Sequence, residues 1–311
     1  MKVIFAGTTK FALRILNAIE ASKHQILAVV TQSDKINSRG NKIVDSPIKA
    51  YANEMQLKLF QFESISRDGF DILAQLQADI MVTAAYGQIL SDKLLSLFKH
   101  GIINVHASTL PKYRGPAPVQ YAIMNGDEEL GVTIMQTVKQ IDAGDIIATG
   151  SVKLDGSENA DEALEKLAPV AANTLVSTLD LIENGQAQRI TQDASRATFT
   201  KMLNKIDGRI IFNKSAQDIV NFVRAYNPNP GAYITSDRGR LRILRASAQD
   251  IEHNGIPGEV VRVDKTGISI KCANGVLLPL IVQADGKKEM PIDAYLRGNN
   301  IKLGYLFNSE L

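Results

Sequence analysis

An amide, an imidazole and a carboxylate follow apolar stretches of the chain, at positions where they could do chemistry together. Asn104 and His106 interrupt the β-branched run at 101–105, and Asp142 is the first carboxylate after the apolar run at 130–138. Side chains two positions apart on a strand point to the same face. Because open α/β sheets bind ligands at the carboxyl ends of their strands, we expect the three groups at one sheet edge.

These groups suit acyl transfer to an amine. The Asn104 amide can donate to an oxyanion, His106 can take or give a proton, and Asp142 can orient the imidazole. Ser108 lies two residues past His106 and Cys272 lies far along the chain, so neither stands as an obvious covalent nucleophile. Direct attack of a substrate amine on a bound acyl donor is therefore simpler than a covalent route.

Structural roles for the same residues stay open at this stage. Polar groups on an apolar strand can be satisfied structural hydrogen bonders. Asp142 and Asp145 bracket an Ala-Gly pair, which is typical of a tight turn. The irregular segment STLPKYRGPAP after His106 favours a functional site over a purely structural pair.

Composition excludes several protein classes. The 311 residues are 45% hydrophobic and 22% charged, which is normal for a globular protein of about two domains. The single cysteine rules out an intrachain disulfide and fits a reducing cytoplasm. No apolar run has membrane length, so no membrane partner is expected. The four histidines show no ligand spacing, and no metal is expected.

The element pattern predicts an α/β fold, a doubly wound and mostly parallel sheet. The strand KVIFAG, a helix capped by Thr8 or Thr9 and the strand QILAVVTQ form a first βαβ unit, and the alternation continues through the following residues. A nicotinamide-binding enzyme would carry several glycines in the first turn, but AGTTKFA has one. Asp34 is then more simply a loop aspartate than a ribose ligand.

The later part of the chain has a different pattern. Short strands alternate with glycine turns after residue 231, which predicts a small OB-like β-barrel. We predict a catalytic domain over 1–189, a linker over 190–208 and the barrel domain over 209–311. Residues 201–311 contain 16 Lys and Arg against 11 Asp and Glu, a net charge of +5, which is compatible with a polyanionic partner or with an ordinary surface.

A long polar loop at 33–47 carries Lys35, Arg39 and Lys42. Loops of this length inside compact domains often have a function. The residues alone leave open whether it is a basic arm or a solvated surface loop.

The chain resembles the methionyl-tRNA formyltransferase family along essentially its whole length. The matching segments are FAGTTKFA, TQSDKINSRGNKIVDSPIK, AAYGQIL, INVHASTLPKYRGPAPVQ, GVTIMQTVKQIDAGDI, RAYNPNPGA and QADGKKEM. Thr9, Ala107, Thr109 and Asn229 depart from the proline, glycine, leucine and tryptophan that are usual there. None of these changes removes a catalytic group.

The resemblance implies an enzyme of translation initiation that uses 10-formyltetrahydrofolate and methionyl initiator tRNA. It implies catalytic roles for Asn104, His106 and Asp142. By the same resemblance, the folate-binding residues would be Ser108, Thr109, Leu110 and Pro111. The tRNA-binding residues would be Arg39, Lys42, Lys201 and Lys205. A cytoplasmic monomer is expected.

Two alternatives are kept. A sugar-nucleotide or glycinamide-ribonucleotide formyltransferase would share the three catalytic groups, although the basic loop and barrel argue against it. A tRNA-binding module without catalysis would keep the basic surface, although the intact Asn104, His106 and Asp142 argue against that.

Overall fold

The computed structural model describes residues 1–34, 44–237 and 239–307. The chain forms two compact units, and each contains segments that are separate in sequence. The first unit comprises Met1–Pro118, Glu129–Lys153 and Leu164–Thr200; the second comprises Val119–Glu128, Leu154–Ala163 and Lys201–Leu311. The predicted domain limits at 189 and 208 stay a prediction.

The first unit is built on a sheet in the order β3-β2-β1-β4-β5-β6-β7. Its strands are β1 (Lys2–Gly7), β2 (Gln25–Gln32), β3 (Leu59–Phe62), β4 (Ile80–Ala84), β5 (Ile102–His106), β6 (Glu129–Gln136) and β7 (Ile146–Lys153). The first five run parallel, whereas β6 and β7 pair antiparallel. The predicted mostly parallel sheet is therefore confirmed.

Helices flank this sheet. They are α1 (Lys10–Glu20), α2 (Pro47–Glu54), α3 (Ile65–Asp68), α4 (Phe70–Ala74), α5 (Asp92–Leu95) and most of α7 (Ala160–Glu183), whereas α6 (Pro118–Met124) belongs to the second unit except for its first residue. The Thr9 hydroxyl caps α1 by accepting from the Ala12 amide, and Pro47 opens α2 after the cap Ser46. Strand β4 is buried at every position, as expected for a parallel strand covered on both faces.

Two helices of this unit are little more than one turn long. Helix α4 ends at Ala74, and helix α5 ends at Leu95. Ser91 caps the second one, but only one turn follows it. Short apolar segments gain few hydrogen bonds for the cost of nucleation, so packing rather than local pattern sets their length.

The second unit contains an antiparallel sheet in the order β10-β11-β12-β9-β8, with β13 paired to β12. Its elements are α8 (Ala216–Tyr226), β8 (Ala232–Ser236), β9 (Gly239–Gln249), β10 (Val260–Asp264), β11 (Gly267–Lys271), β12 (Val276–Ala284), β13 (Met290–Pro291) and α9 (Ile292–Gly298). Buried Ile219 and Val223 of α8 join Ile243 and Leu277 in one apolar core. The strand pairs of the described residues do not close from β10 to β8, so the sheet is seen and the predicted barrel is not confirmed.

Across the three described ranges of the chain, no helix combines the length and the apolar character that crossing a membrane would require.

Candidate active site

Strand β5 ends with the two polar residues that the sequence singles out. Asn104 pairs with Thr83 on β4, and His106 pairs with Thr133 on β6. His106 is buried and Asn104 is partly exposed. The strand ladder fixes both backbones, and the period of two puts both side chains on the same face.

The Asn104 amide is oriented by its neighbour on β4. Its Oδ1 lies 2.9 Å from the Thr83 hydroxyl, which donates to it. The Nδ2 group is thereby left as the free end of the amide, and it forms no hydrogen bond with any residue the structure describes. A hydrogen-bond donor is thus held at the carboxyl end of the sheet.

The imidazole of His106 is fixed in one tautomer. Its Nε2 lies 3.0 Å from the carbonyl oxygen of Tyr113. Because a carbonyl oxygen only accepts, Nε2 carries the proton and the neutral ring has its lone pair on Nδ1. Nδ1 lies 3.7 Å from Oδ2 of Asp142, which is ion-pair distance but longer than a hydrogen bond.

Asp142 lies in the turn between β6 and β7 and not on a strand. Its φ of 49° is in the left-handed region, which Asp tolerates better than most residues. Its Oδ2 accepts a 2.7 Å hydrogen bond from the Gly115 amide. The structure therefore brings His106 and Asp142 together, as the sequence predicts, and the roles of all three residues stay predictions.

A short segment, Tyr113–Gly115, supports both groups; only Arg114 in it forms a β-bridge, and Tyr113 has a left-handed φ of 61°. On one edge, the Arg114 amide donates to the Thr198 carbonyl and the Thr200 amide donates to the Arg114 carbonyl, each at 2.8 Å. On the other edge, the Tyr113 carbonyl meets His106 and the Gly115 amide meets Asp142. The segment is thus anchored on one side by residues 198–200 and contacts the candidate site on the other.

The predicted folate loop follows His106 directly. The Thr133 hydroxyl donates to the Ser108 carbonyl at 2.7 Å and accepts from the Leu110 amide at 3.1 Å. Ser108 and Leu110 are buried, Pro111 is half-buried and Thr109 is exposed. The loop backbone is thus clamped at the sheet edge, and its role in folate binding stays a prediction.

The residues predicted to bind tRNA are not all described. Arg39 and Lys42 lie outside the described residues. Lys201 and Lys205 belong to the second unit, and both side chains are exposed. Their roles stay predictions.

One other cluster has the residue types of a metal site. Among the residues described, His24, Asp180 and Glu183 bring one ligand atom each within 4.8 Å of the others. The N-terminal ammonium group and Lys23 both donate to Glu183 and lower its pKa to about 2. Burial lowers the pKa of His24. These contacts account for the cluster as an ion network; the expected lack of a metal stays a prediction.

Comparison with known proteins identifies the family. The model of the Formyl transferase family matches residues 1–179, and that of the Formyl transferase, C-terminal domain family matches residues 202–300. Methionyl-tRNA formyltransferase of Sulfurihydrogenibium sp. (strain YO3AOP1) is 39% identical, over 99% of this chain and 100% of that protein. That of Lactobacillus delbrueckii subsp. bulgaricus is 40% identical, over 96% of both. The chain belongs to the methionyl-tRNA formyltransferase family.

The fold agrees with that of other formyltransferases. A crystal structure of an N-formyltransferase from Helicobacter canadensis, with folinic acid and dTDP-3-aminofucose, has a TM-score of 0.68 at 17% identity, over 90% of this chain and 98% of that one. At this identity the likeness concerns the fold alone. Membership of the methionyl-tRNA formyltransferase family makes this chain a formyl-transferring enzyme, and the prediction of that enzyme class is confirmed.

In this methionyl-tRNA formyltransferase family member, the sequence analysis does not identify the residues that position the candidate site through hydrogen bonds. Thr83 and Thr133 are polar positions inside buried strands, a signal that could have identified them. Gly115 stands in a Pro/Gly-rich turn, another usable signal. Gln192 lies in a polar stretch predicted as linker, yet it is buried and contacts the turn of Asp142. No local pattern indicates that role.

Proposed function

We propose that this enzyme transfers the formyl group of 10-formyltetrahydrofolate to the amino group of methionyl initiator tRNA, and that Asn104, His106 and Asp142 carry the chemistry. The observation that supports this best is the His106 imidazole, whose Nε2–H is held by a backbone carbonyl while Nδ1 faces the Asp142 carboxylate at 3.7 Å. A proton-accepting nitrogen, a stabilising charge and an amide donor meet at one sheet edge, as acyl transfer to an amine requires.

Asn104 stabilises negative charge in this mechanism. As the amine attacks the formyl carbon, electrons move onto the formyl oxygen, and the free Nδ2 group of Asn104 donates to it. Thr83 holds the opposite end of the amide, so the donor is oriented before substrate binds. Such preorganised donors contribute about 10²–10³-fold in rate.

His106 moves the proton. Its Nδ1 takes a proton from the attacking nitrogen as the new carbon–nitrogen bond forms. It returns that proton to the nitrogen of the donor as the old carbon–nitrogen bond breaks. The Asp142 carboxylate stabilises the positive charge that the ring carries between these steps.

The loop of Ser108, Thr109, Leu110 and Pro111 suits the donor side of the site. The formyl donor supplies the transferred group when it is bound. Thr133 clamps the loop backbone on the strand edge beside His106, and Thr109 is the exposed residue of the loop. The fold of the Helicobacter canadensis enzyme, which was crystallised with folinic acid, supports a folate ligand for this architecture.

The tRNA that accepts the formyl group would be bound by basic residues away from the sheet edge that carries Asn104 and His106. We assign Lys201 and Lys205, and the basic loop residues Arg39 and Lys42, to tRNA phosphates. We further propose that the antiparallel sheet of the second unit is an OB-like tRNA-binding barrel. A monomer acting in the cytoplasm is consistent with the single cysteine and with a substrate that belongs to translation.

A competition assay tests the proposal. The protein is given a folate formyl donor together with charged initiator tRNA, a small amine or an amino-sugar nucleotide. We expect rapid formylation of the charged tRNA only. Preferred formylation of the sugar nucleotide would contradict the acceptor, whereas wild-type turnover by His106→Ala would contradict the assigned chemistry.

A further inference from the structure

The turn that carries Asp142 is held by one buried side chain, that of Gln192. Gln192 Nε2 donates to the Asp142 carbonyl at 2.9 Å and to the Gly144 carbonyl at 2.7 Å. Its Oε1 accepts from Arg114, at 3.1 Å from Nε and 2.7 Å from Nη2. A single amide therefore links the turn of Asp142 to the segment that contacts both His106 and Asp142.

Every hydrogen-bonding position of this amide is used. A glutamine amide has two donor hydrogens and two acceptor lone pairs, and Gln192 employs all four. The orientation is unambiguous, because the carbonyls of Asp142 and Gly144 can only accept and the Arg114 guanidinium can only donate. Gln192 and Arg114 are 8% and 7% exposed, so water does not readily replace these bonds.

The backbone around Gln192 is itself fixed. Ile146 and Ile190 exchange two backbone hydrogen bonds of 2.8 Å, which attaches the stretch before Gln192 to the start of β7. Asp142 stands only four residues before Ile146, in a left-handed conformation that has to be maintained by its surroundings. Gln192 thus reaches the turn from a second anchored segment.

We propose that Gln192 is a positioning residue for formyl transfer. It fixes the backbone of the turn and thereby the place of the Asp142 carboxylate beside His106. It does not touch the reacting atoms. This inference rests on the catalytic role proposed above for Asp142, and it adds a residue that the sequence pattern does not single out.

Gln192→Glu is the variant that separates positioning from folding. A glutamate still accepts from Arg114 and gives that buried guanidinium a counter-charge, but it has no N–H for the carbonyls of Asp142 and Gly144. We expect a folded protein whose kcat is roughly 10–100-fold lower, because small displacements of catalytic groups are costly. KM for the folate donor and for charged tRNA should stay within about two-fold, since ground-state binding is not removed.

The same substitution is then made in Asp142→Asn. With no carboxylate left to position, Gln192→Glu should cause little further loss of kcat, because groups that act as a unit are not additive. The matched control is Gln188→Glu, at an exposed glutamine of the same stretch, which should leave kcat unchanged in both backgrounds. Thermal unfolding of each variant checks that the fold is kept.

Two results would overturn the inference. One is unchanged kcat in Gln192→Glu; the other is an equal fold-loss in the wild-type and Asp142→Asn backgrounds. If Gln192→Glu does not fold, Gln192→Met, which keeps the length without charge, is put through the same cycle. Wild-type turnover by Asp142→Asn alone would instead overturn the role of Asp142, so the two failures are distinguishable.

Discussion

The two halves of the candidate site are built in different ways. Asn104 and His106 lie on β5, between β4 and β6, where ladder hydrogen bonds on both sides set the backbone. Asp142 lies in a turn with a left-handed φ, and it depends on the Gly115 amide and on Gln192 for its place. A strand positions a side chain through the whole sheet, whereas a turn needs hydrogen bonds of its own.

Asn104 and His106 are therefore held by the whole sheet, whereas Asp142 is held by a few hydrogen bonds to its own turn. A change in the residues around β5 can be absorbed by the ladder, because many bonds share it. A change at Gly115 or Gln192 acts directly on Asp142. We therefore expect the strand half to tolerate changes in its neighbours and the turn half to be sensitive to them, although we assign both to the same reaction.

The largest effects are expected when the acid–base group of either half is removed. His106→Ala and Asp142→Ala should each lower kcat by about 10²–10⁴-fold, the usual contribution of a positioned acid–base group. Donor affinity should be largely kept, because neither change touches the Ser108–Pro111 loop. Steady-state kinetics with charged tRNA give the result, with circular dichroism as the folding control. Near-wild-type turnover in either variant would remove that residue from the mechanism.

Substitutions of Asn104 test whether its amide stabilises the negative charge that develops on the formyl oxygen. Replacing it with alanine removes one donor, which is worth about 10²–10³-fold in rate. Asn104→Asp should be slower still, since it sets a negative charge where negative charge develops. Comparing kcat of the two variants checks this order. An aspartate variant as active as wild type would mean that Asn104 is structural.

A smaller effect is expected when only the support of Asn104 is removed. Thr83→Val keeps the shape of the side chain but deletes the hydroxyl that donates to Asn104. A neutral hydrogen bond is worth about 1 kcal/mol, so kcat should fall roughly five-fold. A loss as large as that of Asn104→Ala would show that the strand half is as sensitive to its neighbours as the turn half.

The smallest effect is expected from charges that belong to neither half. Lys201→Ala and Lys205→Ala should weaken tRNA binding and flatten its dependence on salt by a slope of about one per lost phosphate contact. The turnover of bound substrate should stay unchanged. The measurement is tRNA affinity across a salt series, with folate binding as the control. An unchanged slope in both variants would show that these lysines are ordinary surface residues.

The sequence predicts the strand half better than the turn half, for a physical reason. The spacing of Asn104 and His106 expresses a period of two that any strand must follow, so their common face is readable without a structure. The place of Asp142 after β6 could be inferred from the order of elements. Its partners could not, because Gly115 and Gln192 reach it through contacts between segments distant in sequence.

Strand β7 is likewise difficult to predict from local sequence. Its residues alternate between half-buried and exposed positions, and Gly150 lies within it, so the apolar signal that identifies the other strands is weak. Strand spacing predicts antiparallel strands but not whether their sheet closes into a barrel. Local pattern thus predicts elements, whereas pairing depends on the whole chain.

The pairing of Tyr113–Gly115 with residues 198–200 has a consequence for how the enzyme is made. A nascent chain that ends before Thr198 already contains Asn104, His106 and Asp142. The segment Tyr113–Gly115, which contacts His106 and Asp142, cannot yet pair with residues 198–200 in such a chain. Gln192 also leaves the ribosome long after the turn that it holds. The geometry of the candidate site is therefore complete only after residues 192–200 have been translated, well after the residues to which we assign the reaction.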